Sequence, residues 1–587
     1  MNYPQIKPTL NLDFSNTKTL DPRITFRRGT PGAYYDGKTY AKAEENLLSY
    51  SEDFSQWGYG RIVKTSAQSA PDGSSGAYKI EQESGQTSSG YLLQTYTTSA
   101  NESYTFSVYA KAGTNRNYVV LRTYLSNSRF TYFDLVNGEA VNIDDHHVAT
   151  IQDAGNGWYR CNITYTPVSS SNVQFNVYFS DNDSSITVAD DGGFIYLWGA
   201  QLEQRKSVTS YTKTDGTPVT KYQPQLMFAS PDQPRFDHDV LTGKSKGLLI
   251  EESRTNLFEY SEGFSSWQYN SNVVVKNNNI VAPSGTVSAS QIVETSSNSQ
   301  HNVAQTISIT GQKTFSLFVK KGAGSRNFRI TDYNSTDGEV SVTYNLSTGD
   351  KISEAGSPNS NIDNYSNGWY RISMTSTTTT SSTYYIQLMD NNNTTYTGDG
   401  YSSIYIWGAQ LEEGSFATSY IKTSGASATR SADNASITGE NFSSWYRQDE
   451  GSLYSEVSTS DFRSSYPRFI INDGTASNRI VTSFFGQQGL RIQSDSNDYI
   501  NVSNAVSSDN GNYHKRAIAL KKDSFSFYTD GESILSDYAG EMPISVNTFT
   551  FYNNLAADGA DYLNGHIKKI AYYPQHLTNE QLQQLTK

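Results

Sequence analysis

Two stretches of this sequence are copies of one another. Asn46-Leu47-Leu48-Ser49-Tyr50-Ser51-Glu52-Asp53-Phe54-Ser55-Gln56-Trp57 returns as Asn256-Leu257-Phe258-Glu259-Tyr260-Ser261-Glu262-Gly263-Phe264-Ser265-Ser266-Trp267. The register then holds: Phe106-Ser107-Val108-Tyr109-Ala110-Lys111 answers Phe315-Ser316-Leu317-Phe318-Val319-Lys320, and Asn156-Gly157-Trp158-Tyr159-Arg160 answers Asn367-Gly368-Trp369-Tyr370-Arg371. Tyr196-Leu197-Trp198-Gly199-Ala200-Gln201-Leu202-Glu203 matches Tyr405-Ile406-Trp407-Gly408-Ala409-Gln410-Leu411-Glu412, and each copy closes on Thr-Ser-Tyr followed by Lys213 or Lys422. A duplication on this scale fixes the architecture before any local reading, because each copy must be a folding unit of its own. The units run over 46–213 and 256–424.

Inside each unit short segments alternate with period two. Val173, Phe175, Val177 and Phe179 share one face, as do Tyr384, Ile386 and Leu388 in the second copy, which is the pattern of strands with one buried side. Clusters of Gly, Asn, Asp and Ser interrupt the runs, and no long stripe with helical spacing intervenes. With 43 Tyr and 26 Phe against 5 Met, burial rests on aromatic and β-branched side chains, which favour sheets. A mean hydropathy of -0.60 with only 18% charged residues describes a hydrated polar sheet face rather than a charge-laced helix. The expected fold is all-β with very little helix, the two copies forming tandem jelly-roll-like β-sandwiches.

A chain of 587 residues is too long for one core, since cores stop growing near roughly 250 to 300 residues. Three further segments flank the copies. Residues 1–45, where Leu10, Leu12 and Phe14 alternate before turns at Asp21-Pro22 and Thr30-Pro31-Gly32, are too small for a domain and read as an arm that attaches to a partner or to the first sandwich. Residues 214–255 carry Pro218, Pro224, Pro231 and Pro234 and read as a stiff linker, whose Gly247-Leu248-Leu249-Ile250-Glu251 is apolar enough to pair at an edge of the second sandwich. Residues 425–587 read as a third sandwich. There Asp530-Gly531 marks a hairpin, Pro574 ends a strand, and Thr578 with Gln581 caps a short terminal helix whose apolar face is Leu582 and Leu585.

Composition also bounds function. A net charge of -13 and a pI near 5.1 argue against binding nucleic-acid phosphates, which draws on clustered Lys and Arg. The N-terminus lacks the basic start and apolar run of a signal peptide, and no stretch is apolar enough to insert in a membrane. A soluble chain made in the cytoplasm is expected. The single cysteine, Cys161, alternates in phase with Tyr159 and Ile163 and reads as a small core residue. His146 and His147 are adjacent, so a strand sends them to opposite faces. No zincin, nucleophile-elbow or phosphate-loop motif occurs, and no repeated motif singles out a pair of carboxylates, so no catalytic residue is assigned and no enzyme is expected.

Two kinds of binding residue are candidates. Asp181 and Asp183, with Asp190-Asp191 nearby, offer the hard oxygens calcium prefers, the one cofactor left open. The second copy has Asp390-Asn391-Asn392-Asn393 at the equivalent strand end, with fewer charges, which favours a solvated turn. Trp57, Trp158, Trp267 and Trp369 could stack on sugar rings or simply pack. Packing alone explains Trp198 and Trp407, which share a face with Tyr196 or Tyr405 and Ala200 or Ala409.

The openings Asn-Leu-Leu-x-Tyr-Ser-Glu-x-Phe and Asn-Leu-Phe-x-Tyr-Ser-Glu-x-Phe, the Asn-Gly-Trp-Tyr-Arg turn and the Trp-Gly-Ala-Gln-Leu-Glu strand resemble carbohydrate-binding-module-like domains of bacteriophage tail and head-fibre proteins. Pro234-Arg235-Phe236-Asp237-His238-Asp239 and Gly247-Leu248-Leu249-Ile250-Glu251-Glu252 resemble the segment that introduces such domains. Residues 425–587 resemble a concanavalin A-like, laminin-G-type lectin domain at Asp530-Gly531 and Tyr562-Leu563-Asn564-Gly565-His566-Ile567. The resemblance implies a non-enzymatic virion surface protein, a fibre, appendage or capsid decoration, held to other virion proteins by residues 1–45 and presenting weak, multivalent glycan-binding modules to the host surface. It fixes no sugar-binding residue. A structural cement or fibre subunit that binds no sugar, and a polysaccharide depolymerase with accessory modules, are the alternatives. No heptad or β-helix repeat builds an intertwined shaft, so a monomer competes with an oligomer, a trimer among them.

Overall fold

The computed structural model describes residues 6–459, 468–483, 489–502, 511–552, 555 and 562–587. Strand makes up 56% of the described residues and helix 3%, as the aromatic, period-two sequence requires. Among the described residues no helix is long and apolar enough to cross a membrane.

Each copy is a sandwich of two six-stranded antiparallel sheets. In the first, one sheet runs Glu139–Val141, Ser128–Asp134, Tyr118–Tyr124, Ser171–Ser180, Tyr91–Thr98, Gly58–Gly60, and the other His147–Gly155, Trp158–Tyr165, Tyr104–Ala112, Phe194–Glu203, Ala77–Gln82, Ile62–Gln68. The second copy repeats this order strand for strand. If the eight central strands are numbered along the chain, the sheets read 1-8-3-6 and 2-7-4-5, the interleaving of a jelly roll. Val173, Phe175, Val177 and Phe179 all point into the core, where Phe175 meets Phe106 of the facing sheet with ring centroids 5.5 Å apart. Cys161 is buried in the same core, and burial pushes its thiol well above the usual range.

The third sandwich is not confined to residues 425–587. Leu10–Asp13 pairs with Gly565–Tyr573, placing Leu10 opposite Tyr572, and Thr25–Arg27 pairs with Asn434–Thr438 in the facing sheet. Phe236–His238 and Ser245–Ile250 form a hairpin that extends the first of these sheets beside Gly565–Tyr573. Leu10, Leu12, Phe14, Phe26, Phe236 and Leu248 are all buried in its core. The segments read as an arm and a linker are therefore strands of the C-terminal sandwich, and the apolar 247–251 segment pairs there rather than with the second copy. The reason is an open edge: Gly565–Tyr573 pairs with Glu450–Thr459 on one side, and its other side is completed by chain from far upstream.

The two jelly rolls are thus insertions. The chain leaves and re-enters through the ribbon Gly32–Asn46 with Val219–Ala229, which is irregular at Pro224, as a strand proline requires. It leaves and re-enters again through Arg254–Asn256 with Ala428–Arg430. Around these crossings lie five buried charges, Arg28, Arg235, Glu251, Arg430 and Asp433. Arg28 pairs with Asp433 at 3.0 Å and Arg235 with Glu251 at 2.7 Å, Arg235 also bonds Asp433, and Arg430 lies 3.5 Å from Glu251. The guanidiniums hold the Glu251 carboxyl well below its usual range.

Local readings in the C-terminal part hold. Asp530 and Gly531 both have positive φ, 50° and 85°, between paired strands Phe525–Thr529 and Glu532–Tyr538, as a type I′ hairpin needs. The helix Asn579–Thr586 carries the Thr578/Gln581 capping box and buries Leu582 and Leu585.

Candidate functional site

The motifs shared by the copies converge on one structural seam. The Nδ2 of Asn46 donates to the carbonyls of Ala200 (3.0 Å) and Thr212 (2.8 Å), while its Oδ1 accepts from the amides of Leu48 (3.1 Å) and Leu202 (3.2 Å). Asn256 does the same with Ala409, Ile421, Phe258 and Leu411. Ser51 and Tyr211 share a 2.6 Å hydrogen bond, Tyr211 donates to Glu52, and Lys213 pairs with Glu52; Ser261, Tyr420, Glu262 and Lys422 repeat the set. The arginine of each Asn-Gly-Trp-Tyr-Arg turn, Arg160 or Arg371, donates to the carbonyl of Thr209 or Thr418 at 2.6 Å. Gly199 and Gly408 sit at φ 58° and 65° beneath Tyr211 and Tyr420, a backbone shape that favours glycine. The repeated residues stitch the segment that enters each jelly roll to its last strand and to the segment that leaves it.

The four tryptophans serve this packing. Trp57 and Trp267 are 2% and 3% exposed and donate their Nε1 to the carbonyls of Tyr50 and Tyr260. Trp158, 3% exposed, packs with Trp198 and Ala77, and Trp369, 1% exposed, with Trp407, Ala33 and Leu226. None presents a ring face to solvent, so a sugar-stacking role for any of them is not open in this conformation.

The acidic loops are spread out. Asp181 accepts from the Asn182 side chain, and Asp183 engages Asn142 through its backbone carbonyl. Nearby Asp191 pairs with Arg116 at 2.9 Å. In the second copy Asp390, the counterpart of Asp181, pairs at 3.0 Å with Arg326, which also bridges Glu294. An arginine supplies the positive charge in each loop, and among the described residues no three His, Cys, Asp or Glu side chains are grouped to hold a metal. His147 is buried between Thr123 and Thr131, whose hydroxyls lie 2.8 and 2.9 Å from its two ring nitrogens, and burial lowers its pKa to about 4; His146 points to solvent.

What distinguishes the copies is the outer face of the sheet containing Tyr118–Tyr124. The other sheet of each jelly roll faces its neighbours: Trp407 and Phe318 lie under the ribbon, and Ser210 of the first copy donates to the Tyr405 hydroxyl of the second at 2.7 Å. In the first copy, strand alternation turns Val119, Leu121 and Thr123 inward and Val120, Arg122 and Tyr124 outward. Across the sheet Phe130 and Asn176 stand opposite Arg122, with Tyr178 one row along. The Arg122 guanidinium carbon lies 4.9 Å from the ring centroid of Tyr124, 5.3 Å from Tyr178 and 5.8 Å from Phe130. Tyr178 in turn contacts Phe130 and Tyr91 at 5.9 and 5.4 Å. Arg122, Tyr124, Phe130, Tyr91 and Gln174 are half-buried, so rings and polar tips meet water at one place. None of the motifs shared by the two copies includes these residues; the outward alternation of Arg122 and Tyr124 is the one signal the sequence offers.

A cleft of about 390 Å³ lies where the ribbon, the hairpin and the second jelly roll meet the C-terminal sandwich. In its wall the Asp237 carboxylate accepts from the Tyr35 amide (2.8 Å) and contacts His566 Nε2 (2.9 Å). Burial alone would raise the Asp237 pKa, but His566 holds it at about 2.

No protein family and no curated protein matches the chain. Among solved structures it is similar to the LG1-3 region of the laminin α2 chain, at 11% identity over 82% of this chain and 96% of that one, with a TM-score of 0.20. It is also similar to Trypanosoma rangeli sialidase, at 10% identity over 98% and 96% with a TM-score of 0.20, and to a mutant of that sialidase displaying trans-sialidase activity, at 9% over 97% and 98% with a TM-score of 0.21. TM-scores of about 0.2 carry neither fold nor activity from those proteins to this one.

Proposed function

We propose that this chain is a non-enzymatic surface protein of a bacteriophage particle, and that it contacts host glycans through the aromatic face of its first jelly roll. The observation that carries the glycan reading is the half-buried pair Tyr124 and Phe130 around Arg122, with Tyr91 beside them against Tyr178, on a sheet face that neither the second jelly roll nor the C-terminal sandwich covers among the described residues. Aromatic rings beside hydrogen-bonding tips match the two-sided chemistry of a sugar, apolar on its C–H face and polar at its rim. The virion setting is supported by the repeated motifs and their resemblance to phage fibre domains. A single shallow face binds weakly, and many copies on one particle convert that into avidity.

A purely structural subunit is the second reading. It is favoured by burial of all four candidate tryptophans and by Tyr40, Tyr222 and Phe228, which stand 51%, 61% and 43% exposed along the ribbon, where a neighbouring subunit would cover them. A glycan array with the full chain and with a Tyr124→Ala/Phe130→Ala variant separates the two. The glycan reading expects binding by the parent and its loss in the variant; absence of binding to any saccharide by a chain that still co-purifies with particles would leave the structural reading.

A further inference from the structure

We propose that the saccharide bound at this face carries a carboxylate, received by the guanidinium fork of Arg122; this rests on the glycan reading above. Arg122 is permanently charged and half-buried, and among the described residues it has no carboxylate partner. Its Nε donates to Asn176 Oδ1 at 3.2 Å. The two nitrogens of the fork have only neutral contacts, Ser128 Oγ and Gln174 Oε1, both at 3.4 Å, the long end for a hydrogen bond. A pinned Nε with two weakly engaged terminal nitrogens is an arginine held in orientation with its bidentate edge available, the geometry that suits a planar carboxylate.

Asn176 supports this independently. Arginine only donates, so the amide oxygen of Asn176 must face Arg122, and its Nδ2 is left buried without a hydrogen-bond partner. A buried donor with no acceptor is costly, and it stands beside a cation that has no carboxylate partner among the described residues; Arg61, 5.4 Å over the Tyr91 ring, donates instead to the Ser89 carbonyl. The flanking rings of Tyr124, Tyr178 and Phe130 lower the local dielectric, which strengthens a charge-assisted bond once formed.

The second jelly roll shows the alternative. At the position of Arg122, fixed by its neighbours Tyr385 and Ser341 in register, stands Thr331, which donates to Gln387 Oε1 at 3.0 Å. The arginine on that face, Arg329, is paired with Glu339. The second copy satisfies its charge internally, and the first leaves it for a ligand.

The test is equilibrium binding of the full chain to three probes: hexuronic acid oligosaccharides, the same oligosaccharides with carboxyls reduced to alcohols, and a sulfated neutral oligosaccharide. The parent is expected to prefer the carboxylated probe over the reduced one by roughly tenfold to a hundredfold, the worth of a charge-assisted hydrogen bond. Arg122→Gln should abolish that preference while keeping residual binding of the reduced probe. Asn176→Asp, nearly isosteric and able to neutralise Arg122 from within, should abolish it too, and covers the case in which Arg122→Gln unfolds the sheet. Equal binding of carboxylated and reduced probes, a preference that survives both variants, or equal binding of the sulfated probe would overturn the carboxylate assignment and leave the glycan reading standing. Failure of the parent to bind any saccharide would instead overturn the glycan reading itself.

Discussion

Arg28 and Asp433 form an ion pair at 3.0 Å, both side chains fully inaccessible, although 405 positions separate them in the chain. The pair ties the exit to the first jelly roll to the re-entry from the second. Arg235, also paired to Asp433, and Glu251 complete the contact from the hairpin between them. Removing one partner of a buried pair leaves an uncompensated charge, which costs about 3 to 5 kcal/mol. Asp433→Ala should therefore destabilise the C-terminal sandwich by that order, read as a lower denaturant midpoint, whereas the double replacement Arg28→Met/Asp433→Leu should recover much of the loss. A single variant with an unchanged midpoint would mean that the crossing is held by packing alone.

The asparagine clamps give a second expectation. Asn256 satisfies two carbonyls and two amides at once, and leaving such groups unpaired costs about 1 to 3 kcal/mol each. Asn256→Ala, and Asn256→Asp, which cannot donate to the carbonyls, should each destabilise the second jelly roll by at least about 2 kcal/mol. Urea melts that follow tryptophan fluorescence would detect it, because Trp267 and Trp407 lie in the same unit.

Residues 6–31 should prove indispensable to folding. A chain beginning at residue 32 loses the buried Leu10, Leu12, Phe14, Ile24 and Phe26, each worth about 1.5 to 3 kcal/mol, against a typical total of about 5 to 15 kcal/mol. It should accumulate as aggregate or show no cooperative melting of the C-terminal part. A soluble, cooperatively melting truncation would contradict the strand role of this segment.

Acid should loosen the cleft through Asp237. Its folded pKa of about 2 lies below the ordinary value of 3.8, so its contribution is fully present above pH 4 and is lost as pH falls from 4 towards 2. The sum is about 2 kcal/mol. In a stability profile against pH, Asp237→Asn should flatten this limb relative to the parent; parallel profiles would show that the contact with His566 contributes nothing.

The two jelly rolls were legible in the sequence because what specifies them is local or repeated: period-two alternation in Val173–Phe179, turn residues between strands, and motifs that recur because each copy needs the same seam. The hairpin at Asp530-Gly531 and the capped terminal helix were legible for the same reason. The preserved tryptophans pointed to packing more than to ligand, and their burial agrees with packing.

What the sequence determined by itself is the pattern of inward and outward side chains in each segment. Tertiary structure alone decided which segment completes which sheet, because Leu10 pairs opposite Tyr572 through backbone groups that every residue carries, and no side-chain pattern names so distant a partner. It also decided which outward face is covered. Arg122 and Arg329 are both arginines on outward strand positions, and only the folded arrangement gives one of them Glu339 and leaves the other among rings and neutral amides.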